Sequence, residues 1–277
     1  MTGIGEVAAR QHGTFSRSQA LACGLSSSGI ARRLEAGDWK AVDDGVYALR
    51  DARPSWLASV SAACLATRGI ASHLTAARLW QLDLPAASRG PIDVIVEAAR
   101  RPRSTRTIRV HRSREDVAAW RVDVQGVPVS DLGPTLIQLA EVLGNKPLER
   151  AVDSASALRP SILFWLADRL VASRRGHGSS LKFRDLLGEL LSDGTLDADV
   201  EVLLKDARVK PPLRRHLDLD FVWLPQKVAL HTFDHKDHDQ WKHLDALASQ
   251  GFRVLVTHER EVKTRPKALL ARLRAVL

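Results

Sequence analysis

Residues able to do chemistry are unevenly spread along this 277-residue chain. Four histidines (His231, His235, His238, His243) and three aspartates fall within the thirteen residues 231–243. That donor density suits Zn²⁺ or another transition metal. The spacings of closed zinc sites are absent, whether paired cysteines or a His-Glu-x-x-His helix, and a solvated turn feeding a helix accounts for the same residues. Only two cysteines occur, Cys23 and Cys64, which excludes a disulfide scaffold and a four-cysteine zinc site. His73 sits between an apolar helix and an alanine pair, with no nucleophile or acid near it in sequence. It reads as a buried, hydrogen-bonded histidine rather than a catalytic one.

The second concentration is of charge. Residues 100–114 hold seven arginines and no acid: Arg100, Arg101, Arg103, Arg106, Arg109, Arg112 and Arg114. A cluster of one sign suits phosphate, because neutralising phosphates releases counterions. A solvated edge strand protected by charge explains it too. The runs at 91–96 and 107–111 alternate like strands, so the arginines are expected on a hairpin and its tip. Over the whole chain 41 Lys+Arg against 32 Asp+Glu gives +9. Arginine outnumbers lysine 31 to 10, a bias that a GC-rich coding sequence produces by itself.

The elements that would present such residues to DNA lie in the first fifty residues. A short amphipathic helix is expected from Ile4 to about Gln11. Ser16 and Gln19 make a capping box that opens a second helix, with Leu21 on its buried face. Gly24 supplies a turn, Ser26 caps a third helix over 27–36, and Gly37 ends it. In that third helix Ile30 and Leu34 face inward, leaving Ser27, Ser28, Arg32 and Arg33 outward. Short side chains allow close approach in a major groove, and arginines reach guanine edges or phosphates. Residues 39–42 and 46–49, joined through Asp43-Asp44-Gly45, read as a two-stranded ribbon carrying Lys40. Helix, turn, helix and ribbon in this order make a winged helix, a module that binds DNA and in other cases protein.

The same residues resemble a known family. Phe15-Ser16-Arg17-Ser18-Gln19-Ala20, Ile30-Ala31-Arg32-Arg33-Leu34, Gly37-Asp38-Trp39 and Gly45-Val46-Tyr47-Ala48-Leu49 are similar to the winged-helix domain of actinobacterial type IV (AbiEi-like) antitoxins. The similarity continues through Ser72-His73-Leu74-Thr75-Ala76-Ala77-Arg78-Leu79-Trp80, Val110-His111-Arg112-Ser113, Val127-Pro128-Val129-Ser130 and Thr135-Leu136-Ile137-Gln138-Leu139-Ala140. It covers about the first 155 residues. Such antitoxins are transcriptional repressors, some of their own operon beside a toxin gene, and the resemblance implies that role here. Within this middle region helices are expected at 55–67, 75–82, 135–143, 148–157 and 162–172, followed by a linker at 173–180.

From about residue 195 the order becomes helix (197–206), strand (217–223), strand (227–232), helix (240–249), strand (253–257) and helix (266–277). A Pro-containing basic loop over 206–215 is placed to contact phosphate or simply to connect. This order is that of the restriction-endonuclease-like core and resembles the very-short-patch-repair-type endonuclease domain. Asp220-Phe221-Val222-Trp223, Lys227-Val228-Ala229-Leu230, His238-Asp239 and Gly251-Phe252-Arg253-Val254-Leu255 carry the likeness. Active members hold a hard divalent cation with carboxylates. On that pattern Asp197 stands where a Glu is usual, Asp220 is kept, His231 stands where an acid is needed, and Phe233-Asp234 replaces Asp-Gly. Histidine is a poor Mg²⁺ ligand and an aromatic is none. The resemblance therefore implies a degenerate, non-catalytic core.

The expected fold class is α+β: a winged helix at 1–52, a mixed α/β middle domain at 53–172, a linker and helix at 173–194, and an α/β endonuclease-like domain at 195–277. No apolar run of about 18 residues and no signal-like start is present, so a cytoplasmic protein without membrane contact is expected. The function indicated is that of a DNA-binding repressor or antitoxin-like regulator on double-stranded DNA, with no cofactor and with homodimerisation open. Two alternatives stand beside it. One is a Mg²⁺- or Mn²⁺-dependent nuclease using Asp197, Asp220, His231 and His238; the other is an antitoxin that neutralises a toxin by binding it.

Overall fold

A computed structural model of the protein describes residues 3–85, 90–159, 161–162, 165–166, 169, 196–209, 212–216, 219–232 and 241–277. The helix expected at 162–172 lies largely outside the described residues, and the linker at 173–180 wholly so. The fold is mixed α/β with several sheets, consistent with the α+β class. It divides into two compact units, Met1–Leu139 and Ala140–Leu277.

The first unit begins with α1 (Ile4–Arg10), β1 (Thr14–Ser16), α2 (Arg17–Ala22), α3 (Ser27–Glu35), β2 (Trp39–Asp43) and β3 (Val46–Leu49). The three strands form an antiparallel sheet in the order β1-β3-β2. Three aromatic rings, one from each strand, make its core. Phe15 meets Trp39 edge-on at 4.7 Å, and Trp39 stacks with Tyr47 at 6.1 Å. Ala8, Ala20 and Ile30 close this core from the helices. Here Ala20, not Leu21, carries the buried face of α2, and Leu21 is left 42% exposed. A six-residue helix makes fewer than two turns, so it can turn a single small residue onto Phe15.

Helix α4 (Trp56–Thr67) follows, capped by Ser55, whose hydroxyl accepts from the Ala58 N–H. It is apolar almost all round, which fits a helix buried on two sides. One side meets the three-stranded sheet, and the other meets a five-stranded sheet in the order β6-β5-β4-β8-β7. Those strands are β4 (Ile70–Ala71), β5 (Ile92–Glu97), β6 (Ile108–Ser113), β7 (Arg121–Val124) and β8 (Val127–Ser130), with α5 (His73–Leu79) between β4 and β5 and α6 (Leu132–Val142) after β8. The hairpin expected over 91–111 is not formed. β5 and β6 are both strands, but they pair in parallel, Ile92 beside Ile108 through Glu97 beside Ser113. Alternation reveals a strand and not its direction, and the ten residues 98–107 are long enough to carry the chain back, where hairpin loops usually need two to five.

The two parts of this unit are joined at a close seam. His12 Nε2 lies 2.6 Å from the Gln125 carbonyl, and Thr14 Oγ1 lies 2.9 Å from Ser61 Oγ of α4. In the β7–β8 turn Gly126 has φ +75°, and a Cβ there would sit 2.3 Å from the Arg10 carbonyl oxygen.

The second unit contains α7 (Asn145–Leu158), α8 (Leu196–Asp206), β9 (Leu213–His216), β10 (Leu219–Trp223), β11 (Val228–Thr232), α9 (Trp241–Ser249), β12 (Arg253–Thr257), α10 (Glu259–Thr264) and α11 (Pro266–Val276). The sheet order is β12-β11-β10-β9; β11 and β12 run parallel and the other pairs antiparallel. Part of the expected basic loop at 206–215 is thus strand β9. Phe221, Leu230, Leu255, Leu269 and Leu273 form the core beneath α8, α10 and α11. Glu261 is buried and held by Arg272 at 2.7 Å and by the Thr257 hydroxyl at 3.0 Å.

The seam predicts one mutational outcome. Gly126→Ala combines a positive φ with a backbone clash, and should lower stability by about 1–3 kcal/mol, read as a shifted urea midpoint with unchanged slope.

Candidate nucleic-acid interface

The α2–α3 pair is set by three local devices. Ser16 Oγ accepts from the Gln19 N–H at 3.2 Å, while Gln19 Oε1 accepts from the Ser16 N–H at 2.8 Å. Such a reciprocal box satisfies donors that a helix start leaves unpaired. Gly24, at φ +85°, makes the turn, and Ser26 then caps α3 by accepting from the Gly29 N–H at 3.0 Å. Ile30 is buried and Leu34 packs beside it.

This orientation leaves Ser27, Ser28 and Arg32 exposed on one surface. Arg33 differs from them. Its guanidinium lies 5.5 Å from the Trp39 ring and donates to the Gly29 carbonyl at 3.1 Å, so it is half-buried and bound into the fold. Arg17, which sequence reasoning did not single out, donates through Nη2 to Ser27 Oγ at 2.7 Å. The capping box holds a signal for it: the residue after the cap stands exposed at the helix start. On the β2–β3 ribbon, Lys40 is exposed and donates to the Arg50 carbonyl at 3.0 Å.

Arg100, Arg101, Arg103, Arg106, Arg109 and Arg112 are all exposed. They lie on the 98–107 return connection and on β6, which is the edge strand of its sheet. Ser104 and Thr105 pin that connection: their hydroxyls accept from the N–H groups of Val110 at 3.0 Å and Ile108 at 3.1 Å. A buried carboxylate anchors the strand. Asp93 on β5, 2% exposed, lies 2.9 Å from His111 Nε2 and 3.5 Å from Arg109 Nη1. The His111 ring stacks on His73 at 3.6 Å, and His73 Nδ1 lies 3.0 Å from Ser72 Oγ. His73 is therefore buried and hydrogen-bonded. An acid inside an otherwise apolar strand was the available sign of Asp93. Below the strand, Arg78, Arg106 and Arg109 line a cleft of about 670 Å³, with the Arg78 guanidinium 4.0 Å from the Trp56 ring.

In the second unit Asp220 and His231 meet across β10 and β11, His231 Nδ1 standing 3.0 Å from Asp220 Oδ2. The same oxygen accepts from the Thr232 N–H and from the Thr232 hydroxyl, each at 2.7 Å. Burial pushes the Asp220 carboxyl upward, but His231 and the two Thr232 donors outweigh it and hold the carboxyl below its ordinary value. That oxygen has three close neighbours, an imidazole among them, whereas a Mg²⁺ cradle presents oxygens to the ion. Asp197 lies in the first turn of α8, its side chain outside the described residues, and His238 is outside them entirely. Among the described residues no three His, Cys, Asp or Glu side chains converge to hold a metal. Cys64 is pushed up to about 12, by burial above all, so it is no nucleophile. Among the described residues no helix is long and apolar enough to cross a membrane.

Residues 4–50, the span from α1 through β3, match the family model described as "Transcriptional regulator, AbiEi antitoxin". No curated protein matches the chain. The N-terminal region is thus similar to a class of antitoxin transcriptional regulators.

Asp220 gives the second unit a signed pH dependence. A carboxyl lowered by folding lends stability that is complete above its unfolded value near ~4 and is lost as pH falls through the lowered one. Asp220→Asn should cost about 1–3 kcal/mol at pH 7 and flatten the acid limb of the melting-temperature profile. A variant as acid-sensitive as the parent would disprove the assignment.

Proposed function

We propose that the protein is a DNA-binding transcriptional regulator whose first fifty residues form a winged helix. The observation that carries this reading is the outward surface of α3. Its inner residues are held by Phe15 and Trp39, while Ser27, Ser28 and Arg32 face away from the core with no acid on that surface before Glu35. The match of residues 4–50 to an antitoxin-regulator family supports the same reading. In this account α3 enters the major groove. The serines allow close approach and Arg32 reads a base edge or phosphate. Lys40 on the β2–β3 wing touches the backbone, as do Arg100, Arg101, Arg103, Arg106, Arg109 and Arg112 on the segment leading into and along β6. Arg33 acts mainly by holding α3 against Trp39. The second unit, with Asp220 engaged by Thr232 and His231, serves as a nuclease-like scaffold that does not cut.

The test is gel retardation of duplex DNA taken from upstream of the protein's own coding sequence. Arg32→Ala should weaken retention by about 1–3 kcal/mol, roughly five- to 150-fold, with an unchanged melting temperature. Arg33→Ala should lower the melting temperature as well. Charge removal at Arg103 and Arg106 should reduce the salt slope by about one per lost phosphate contact. Retention indifferent to Arg32 would remove α3 from the groove. Cleavage of supercoiled DNA in Mn²⁺ that vanished in Asp220→Ala would replace this reading with a nuclease.

A further inference from the structure

The first unit holds a larger cleft, one of whose lining residues reaches the start of α3. It measures about 910 Å³ and runs along the seam, with α1 and α2 on one side and the end of α4 with strands β7 and β8 on the other. Four arginines from four different elements line it: Arg10 from the last turn of α1, Arg17 from the first turn of α2, Arg68 at the end of α4 and Arg121 at the start of β7. Two carboxylates, Asp44 and Asp123, share the lining, so four positive less two negative leaves +2. Asp123 is also committed locally, accepting from the Gly126 N–H at 2.9 Å. Leu21 and Leu65 supply an apolar portion of the wall.

We propose that this cleft binds a phosphorylated small molecule of nucleotide size, and that its occupancy is coupled to α3. Arginines from four elements line one space, and an anion bound there would meet positive charge from each side. Arginine's planar fork matches phosphate oxygens in pairs. One carboxylate would balance only part of that charge, whereas a diphosphate balances it. The volume lies in the range of small-molecule sites, about 300–1,000 Å³. Two features of the lining fall in place. Leu21, a large apolar side chain left exposed because Ala20 does the core packing, gives the ligand's body a surface. Arg68 ends α4 at φ +53° and from that left-handed cap lines the cleft.

Arg17 links the cleft to α3. Its Nη2 now donates to Ser27 Oγ at 2.7 Å. A phosphate in the cleft that takes up the Arg17 guanidinium frees the first hydroxyl of α3. Ligand and DNA then change each other's affinity by the same factor. The coupling rests on the DNA-binding reading of α3, whereas the cleft as a binding site does not.

The experiment is calorimetric titration of the full chain with ADP, using inorganic pyrophosphate and adenosine as part-probes. One saturable ADP site is expected, with pyrophosphate weaker and adenosine weaker still. The double variant Arg68→Gln/Arg121→Gln should lose at least tenfold in ADP affinity at an unchanged melting temperature. Arg103→Gln/Arg106→Gln should keep it. No saturable binding at millimolar ADP, binding that survives the cleft variant, or binding lost equally in the Arg103/Arg106 variant would each overturn the site. ADP should alter DNA retention by the parent protein but not by Arg17→Gln. An equal effect on both would sink the coupling alone. If the parent retained no DNA, the DNA-binding reading would fail, and the titration would still decide the cleft.

Discussion

Three consecutive residues hold the proposed reading head to the rest of its unit. Thr14 pairs with Ala48 in the small sheet and sets its hydroxyl 2.9 Å from Ser61 of α4. Phe15 fills the middle of the aromatic core, fully buried. Ser16 caps α2. Side chains in a strand alternate between faces, so a single short strand can serve the core with one residue and the neighbours with the residues beside it. If β1 slipped by one position, Phe15 would leave the core and both hydroxyls would lose their partners. The angle of α3 to the five-stranded sheet thus depends on β1. Helix α4 makes this possible by being apolar on two sides, so that each sheet treats it as its own wall.

Local signals in the sequence carried the helix starts well. Ser16 with Gln19 and Ser26 each act within three residues, and each cap forms as the pattern implied, whereas Ser55, read as the first residue of a helix, is the cap before it. What depended on distant partners was not legible. Strand β1 is three residues long, too short for any period to show. The direction of β6 against β5 is decided by where residues 98–107 lead and not by the alternation of either strand. Leu21 has a core-type side chain, and only the shortness of α2 decides that Ala20 is the residue turned inward.

The candidate site divides along the same line. The outward surface of α3 follows from period and capping, so Ser27, Ser28 and Arg32 could be named from the sequence. The partners that modify them could not. Arg33 looks like Arg32 in the sequence, yet Trp39 stands beneath one and not the other. Arg17 reaches Ser27 only because Gly24 turns α3 back beside α2. Asp93 sits in an apolar run whose pattern offered no reason for a carboxylate. Its reason lies on the neighbouring strand, where Arg109 presents a guanidinium and His111 a ring nitrogen to it. In the second unit the resemblance to nuclease cores placed Asp220 and His231 near one another, and β-sheet register makes them direct neighbours.

The edge position of β6 has a consequence for how the protein behaves in concentrated solution. An open strand edge is a template on which a second chain can add itself. Arg109 and Arg112 on β6, with Arg106 just before it, make that edge repel its own copy. A polyanion bound along the strand would cancel the repulsion that keeps copies apart. Colloidal stability would then be lowest not at high or low salt as such, but at the stoichiometry where nucleic acid neutralises the edge. Handling the protein with a large excess of either component would keep it dispersed.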